Sequence, residues 1–402
     1  MRIVLSVIGK FHSFDLAAEL QRHGVLGQIF SGYPHFKLRD TGVAATRIVS
    51  RSWLQSSYMA LRGRVDLPAP LWLAWEQWAG QDFDRFTSRH LPDCDVFVGL
   101  SGTALRTGRI ARSRGAKHVC DRGSSHIRTQ DQLLRDEHDR WGLRFAGIHP
   151  PAIEREEAEY AEADAITVPS TFALRTFVER GYSISKLKLL PYGVNLDRFR
   201  PLTRAQNGRF DVLFVGGMSV RKGVPYLLQA YKVLQHPAKS ITFAGAPCSE
   251  LIALMKQRQL WPHDARVLGH VPQPQLSELM GRSHVMVLPS IEEGLALVQA
   301  QAMASGCVVI GSTNSGAEDL LAHGSEGFVA PVRDPVALAD IMQRLADDPM
   351  LREQIRSAAI ARTQMVGGWK EYGDSAVTFY RRLLTAKQGS AAGLARIPRE
   401  KT

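Results

Sequence analysis

Phe210-Asp211-Val212-Leu213-Phe214-Val215-Gly216-Gly217-Met218-Ser219-Val220-Arg221-Lys222-Gly223 decides how this chain is read. Val212–Val215 is a short, continuous apolar run, the pattern of a strand covered on both faces. Two glycines and an adjacent Arg-Lys pair follow, and Val224–Leu234 then shows helical spacing. Working outward, the same unit recurs. Ile3–Val7, Val96–Leu100, His118–Cys120 and Ala165–Val168 precede it, and Ile241–Ala244, Val285–Leu288 and Val308–Ile310 follow. Each run is rich in Val, Ile or Leu and separated from the next by amphipathic stretches. That alternation predicts α/β architecture with doubly wound parallel sheets.

The series restarts. Leu189–Val194 leads into Asn195–Pro201 and the polar stretch Thr203–Gly208, and Phe210–Val215 then opens afresh as Ile3–Ile8 did. We expect two Rossmann-like domains facing across a cleft, 1–196 and 197–371. A final helix over 372–385 can cross back to the first domain, and a basic, flexible tail occupies 386–402. Ligands of open α/β sheets bind beyond the carboxyl ends of the strands, so two facing sheets share one site.

Composition narrows the classes. The 402 residues carry a formal charge of +11, and 45% are hydrophobic, so cores of ordinary size are available. Collagen-like, coiled-coil and disulfide-scaffold chains are excluded. Cys94, Cys120, Cys248 and Cys307 show no CxxC spacing, and three of them sit by apolar runs, which points to a reducing, cytoplasmic setting. Ile3–Ile8 is too short for a secretory signal core, and no segment approaches the ~20 apolar residues of a membrane span. The positive charge suits an anionic partner. It concentrates in 41–64 (Arg47, Arg51, Arg62, Arg64) and in Ser101–Lys117, where solvated helix faces are the plainer account. No nucleic-acid motif accompanies it.

Two segments carry chemistry. Gly216 and Gly217 let backbone approach a ligand, the following helix start favours anions, and Arg221 and Lys222 offer a bidentate fork and a point charge. Together they suit a diphosphate, although the Walker spacing is absent. The second segment runs from Pro289 through Ile291-Glu292-Glu293-Gly294-Leu295-Ala296-Leu297 to Gln301 and Ala304. Glu293 and Gln301, eight apart, are expected on one helical face, as acceptor and amide partners for sugar hydroxyls. The backbone N–H groups of Gly294–Leu297 are expected as free helix-start donors.

These segments resemble those of retaining glycosyltransferases of the GT-B fold, in particular family 4, the group 1 type. The family's Gly-Gly turn with Arg and Lys matches Gly216, Gly217, Arg221 and Lys222. Its P-S-x-x-E-G-F-G-L-x-x-x-E-A-M-A-x-G pattern aligns with Pro289 through Gly306. Leu190–Phe199, Ala161–Ser170, Gly269-His270-Val271-Pro272, Gly316-Ala317-Glu318 and Gly327-Phe328-Val329 fit as well. The resemblance is strong over Glu154–Ala346 and general before it.

It implies that Arg221 and Lys222 hold the donor diphosphate and that Glu293 hydrogen-bonds the donor sugar. Position 301 then meets the ribose, and backbone around Val271 meets the base. The chain departs from the family at Gln301, where a glutamate is usual, and at Leu295-Ala296, where Phe-Gly is usual. In the family, retention is attributed to front-face attack assisted by the leaving phosphate, a mechanism that needs cations and a dry cleft. No metal or cofactor is expected beyond the nucleotide-diphosphate-sugar co-substrate, and Asp93-Cys94-Asp95 leads into a strand and is read as incidental. By the same resemblance His126 lies near the donor sugar, and the Gly9-Lys10-Phe11-His12 loop lies near donor and acceptor.

Trp53, Trp72, Trp75 and Trp78, with Leu54, Tyr58, Met59 and Leu61 nearby among the arginines of 41–64, have the composition of an interfacial anchor, with aromatic packing as the plainer alternative. The expectation is a cytoplasmic enzyme at the inner face of the membrane. It would move a sugar to a carbohydrate or lipid-linked acceptor with retention, in cell-surface polysaccharide or glycolipid synthesis. A non-catalytic nucleotide-sugar-binding protein and a sugar-nucleotide epimerase on the same fold remain as alternatives.

Overall fold

A computed structural model describes residues 1–62, 64–65, 67–202 and 208–385. The expected tail 386–402 lies outside the described residues, as does most of Thr203–Gly208. The chain builds two sheets whose pairings are all parallel.

The first sheet contains β1 (Ile3–Val7), β2 (Leu26–Ser31), β3 (Ile48–Ser50), β4 (Val96–Leu100), β5 (Lys117–Asp121), β6 (Ala165–Val168) and β7 (Leu187–Leu189). Their order is β3-β2-β1-β4-β5-β6-β7. The second contains β8 (Phe210–Val215), β9 (Lys239–Ala244), β10 (Ala265–Gly269), β11 (Val285–Leu288), β12 (Val308–Ser312) and β13 (Phe328–Ala330), in the order β10-β9-β8-β11-β12-β13.

Each order reverses once, between β1 and β4 and again between β8 and β11. Loops leaving two neighbouring strands to opposite sides open a crevice at such a point. The Arg221-Lys222 loop follows β8 and the Glu292-Glu293 loop follows β11. The two chemistry-bearing segments therefore flank the second crevice.

The strands β1, β6, β11 and β12 are buried along their whole length, which is why they read as apolar runs broken at most by Ser6, Thr167 and Ser312. The strands that the sequence pattern does not single out differ in kind. β2 is interrupted by Gly27 and Gln28, β10 is an exposed edge carrying Arg266, and β3, β7 and β13 span three residues each.

The domains exchange parts. The final helix, Trp369–Thr385, packs on helix Ser13–Arg22. Its Tyr372, Ala376, Val377 and Tyr380 enter the same core as Ile3, Leu5 and Phe14. In the other direction Trp141, from the early helix Ile127–Trp141, is buried in the later core and meets Tyr226 edge-on at 5.7 Å. Glu137 of that helix accepts from the Trp141 indole (2.9 Å) and pairs with Arg333 (2.8 Å). Thr171 donates through backbone and hydroxyl to Asp319.

The tryptophan segment divides. Trp72 and Trp75 stack at 5.8 Å, with Tyr58 edge-on to both, and join helices Trp53–Leu61 and Ala69–His90. Trp53 and Trp78 stand 57% and 68% exposed. In the Ser101–Lys117 run, Arg109 pairs with Glu162, and Lys117 and Arg112 with Asp164, a surface ion-pair face. No described helix is long and apolar enough to cross a membrane.

Candidate active site

The site is laced together from two loops. After β8, Gly216 takes φ 137° and Gly223 φ 71°, backbone conformations open to glycine. A Cβ at Gly223 would also collide with the Pro289 carbonyl, so the start of helix Val224–Val233 sits directly against the loop after β11. The Ile291 amide donates to the Arg221 carbonyl (2.8 Å), and Arg221 Nε returns a bond to the Glu292 carbonyl (3.1 Å).

Four charged side chains meet there. Arg221 Nη2 lies 2.8 Å from Glu292 Oε2, and Lys222 Nζ pairs with Glu293 Oε2. Arg221 keeps 38% of its side chain exposed, and Lys222 and Glu293 keep 21% and 18%, so all three still face solvent.

Glu292 does not. It is fully buried and bridges the domains. Ser124 Oγ (2.5 Å), Ser125 Oγ (2.7 Å), the Ser125 amide (3.2 Å) and Gln130 Nε2 (3.0 Å) all donate to it from the first domain. Burial alone would raise its carboxyl pKa. The Arg221 charge and the bonds from Ser124, Ser125 and Gln130 outweigh burial and hold it near 2. Nearby, a Cβ at Gly294 would strike the Gly123 carbonyl, so the domain surfaces touch at this point.

The expectation of a helix from Glu293 to Gln301 is overturned. The helix covers only Val298–Ala304, and Glu293 lies in the preceding loop, so the two residues share no helical face. The cause is on the neighbouring β12–helix turn. Asn314 Nδ2 donates to the Ile291 carbonyl (2.9 Å), Ser312 Oγ to the Ser290 carbonyl (2.6 Å), and the Ala296 amide to the Ser315 carbonyl (3.2 Å). These bonds hold the loop open, and the Ala296 amide is therefore not a free donor. Leu295 and Ala296 are buried, and Gln301 and Leu297 are half-buried. Val271 follows β10, half-buried against the core that also holds Val215 and Ala244.

His126 is not in the crevice. It is 1% exposed, and its ring is enclosed by Tyr160, Phe177 and Tyr182 at 5.0–5.4 Å. Nδ1 caps helix Ile127–Trp141 by accepting from the Arg128 amide (3.2 Å). Burial pushes its pKa down to about 4. In this arrangement the buried imidazole starts a helix and does not line the crevice.

His12 takes a different place. After β1, its Nε2 lies 2.6 Å from Asp121 Oδ2 at the end of β5, and Thr167 Oγ1 donates to the other Asp121 oxygen (2.8 Å). The ring stacks on Tyr192 at 4.0 Å, and Tyr192 packs in turn on the cluster holding Leu295. Gly9 is buried, and Lys10 is exposed beside the Lys37 carbonyl. Among the described residues, no group of three or more His, Cys, Asp or Glu side chains gathers as a metal site.

Sequence reasoning undervalued Glu292, and it missed Ser124, Ser125, Gln130 and Asp121 as site builders. Asp121-Arg122-Gly123-Ser124-Ser125 at a strand end was the available signal. Its partner lies more than 160 positions away.

Residues 197–362 match the family model described as Glycosyl transferases group 1. The later domain is a group 1 glycosyl transferase domain. Over 320 residues the chain is 27% identical to D-inositol 3-phosphate glycosyltransferase 1 of Catenulispora acidiphila, covering 74% of each. It is 26% identical over 223 residues to the glycogen synthase of Mycobacterium tuberculosis, covering 54% of this chain and 53% of that one. In fold it is similar to Anabaena HepE, solved with UDP and glucose, with TM-score 0.69, 15% identity and coverage of 95% and 100%. Sucrose-phosphate synthase of Thermosynechococcus elongatus gives 0.67, 18% identity and coverage of 96% and 100%. The architecture around the glycosyl transferase domain is GT-B: two doubly wound Rossmann-like domains.

Proposed function

We propose that this glycosyltransferase moves a sugar from a nucleotide-diphosphate sugar to a carbohydrate or lipid-linked acceptor, with retention at the anomeric carbon. One observation carries the reading: Arg221 and Lys222 stand at the second crevice, against the loop that bears Glu292 and Glu293. Glycine-opened backbone from Gly216-Gly217 and two cations suit a diphosphate. Glu293 suits a sugar hydroxyl, Gln301 the ribose, and backbone at Val271 the base. When the donor enters, Lys222 exchanges Glu293 for a phosphate oxygen, which frees the carboxylate to accept from the sugar.

In the transfer step the acceptor oxygen forms the new bond to the anomeric carbon on the face from which the diphosphate leaves. The anomeric C–O bond to phosphate breaks, and the hydroxyl proton passes to a leaving phosphate oxygen. Arg221 and Lys222 stabilise the charge that develops there, without a metal or cofactor.

The reading extends to cell-surface polysaccharide or glycolipid synthesis at the cytoplasmic membrane face. Trp53, Trp78, Met59 and Leu71 expose apolar surface, and Met59 lines one groove with Lys37 and Arg64.

The test is a thermal-shift panel of UDP-, GDP- and ADP-sugars. A bound donor raises the melting temperature by mass action. Failure of every nucleotide sugar to stabilise the protein refutes the proposal. The anomeric configuration of the product, read by NMR, tests retention.

A further inference from the structure

The first sheet has its own reversal, between β1 and β4, and a cavity of about 420 Å³ opens there. Ile8 leaves β1 on one side, and Ser101, Gly102 and Thr103 leave β4 on the other. The volume falls within the ~300–1,000 Å³ of small-molecule sites. Helices Trp53–Leu61, Ala69–His90 and Pro150–Glu162 close the walls.

Its polar lining is mostly uncharged. Gln55, Gln77, Gln81, Ser101, Thr103 and His149 present amides, hydroxyls and an imidazole. Gln55 and Gln81 make no side-chain hydrogen bond among the described residues, while Gln77 Nε2 and His149 Nδ1 hold each other at 2.5 Å. Such donors and acceptors in one cavity match vicinal hydroxyls, each of which donates and accepts at once.

The charges argue against a phosphate. Among the described residues Arg155 is the one Lys or Arg on the lining, and Asp84, 3% exposed, holds it at 2.8 Å. Glu76 and Glu156 also line the cavity. Arg122 neutralises Glu156 at 2.8 Å, while Glu76 pairs with no cation among the described residues and accepts only from the Tyr58 hydroxyl (3.3 Å). Arg62, which contacts that hydroxyl, is not on the lining. An anion here would meet Glu76 and find no unengaged cation.

We infer that this cavity binds the non-ionic, polyhydroxylated part of the acceptor, an unphosphorylated sugar residue, so that the hydroxyl to be glycosylated belongs to a neutral sugar ring. The inference rests on the reading of the chain as a sugar transferase.

Saturation-transfer NMR tests it with methyl glycosides of glucose, galactose, mannose and N-acetylglucosamine, set against the 6-phosphates of glucose and mannose. The blocking variant is Gly80→Leu. Gly80 lies in a helix on the lining, and a Cβ there meets nothing nearer than the Thr103 methyl at 3.7 Å, so helix formation is favoured while the cavity fills. At least one methyl glycoside should show transfer to the wild type, lost in Gly80→Leu, with the sugar phosphates silent in both.

Should Gly80→Leu fail to fold, Gln77→Ala replaces it and should weaken the same signal. Transfer that survives in the variant, silence of all four glycosides, or stronger binding of the phosphates overturns the inference. Nucleotide-sugar binding, followed in the same samples, should be equal in wild type and variant. Its absence from both would count against the donor reading alone.

Discussion

Glu292→Gln should cost the protein about 3 kcal/mol at pH 7. The carboxyl is held at about 2 in place of 4.5, and each tenfold change in proton affinity is worth ~1.36 kcal/mol. Because the folded pKa is depressed, the stabilisation is fully present above 4.5 and disappears as pH falls through 2. Glutamine resembles the protonated acid, so it turns an amide N–H towards donors from Ser124, Ser125 and Gln130 and leaves Arg221 without its partner. At ~2–4 °C per kcal/mol for a domain of this size, the melting temperature should drop by about 6–12 °C. Urea denaturation of both proteins from pH 7 to pH 3 is the assay. The gap between the curves should stay constant to about pH 5, and about 2 kcal/mol of it should be gone by pH 3. A gap below about 0.5 kcal/mol at pH 7, or one independent of pH, would show that Glu292 is not an ionised bridge between domains.

Further outcomes follow from the same geometry. Arg221→Ala and Lys222→Ala should each weaken nucleotide-sugar binding by ~1.5–3 kcal/mol, measured by titration calorimetry; unchanged affinity removes the diphosphate assignment. His126→Phe should keep turnover and lose only a helix cap worth ~1 kcal/mol, whereas loss of turnover with the fold intact would return the residue to catalysis. Trp141→Ala should cost ~3–5 kcal/mol in thermal unfolding, because the ring fills the core of the domain it does not belong to. The double variant Trp53→Ala, Trp78→Ala should lose sedimentation with anionic vesicles while keeping its melting temperature. Equal sedimentation would place the membrane contact elsewhere.

The fold was legible where burial is two-sided. β4 and β11 carry no polar side chain, and β1, β6 and β8 carry one each (Ser6, Thr167 and Asp211) in otherwise apolar runs, so all five announced themselves. β2 and β10 did not, because Gly27 and Gln28 break one and the other is an exposed edge. The site was legible as residue types, since Arg221, Lys222 and Glu293 carry their chemistry in sequence. Their geometry was not. The Ala- and Gln-rich stretch after Gly294 has helical propensity, yet Asn314, Ser312 and Ser315 hold its first part open from a loop about 20 positions on. His126 looked like a crevice residue because Tyr160, Phe177 and Tyr182, which bury it, come from later in the chain.

Closing the early core with Tyr372, Ala376, Val377 and Tyr380 has a consequence during synthesis. The ribosome delivers the chain from its N-terminus, at ~5–20 residues per second, so the intervening second domain takes roughly 10–40 s to emerge. Throughout that interval the first domain lacks one wall and shows the apolar flank of helix Ser13–Arg22 to the cell. This nascent species is the one that a chaperone would meet.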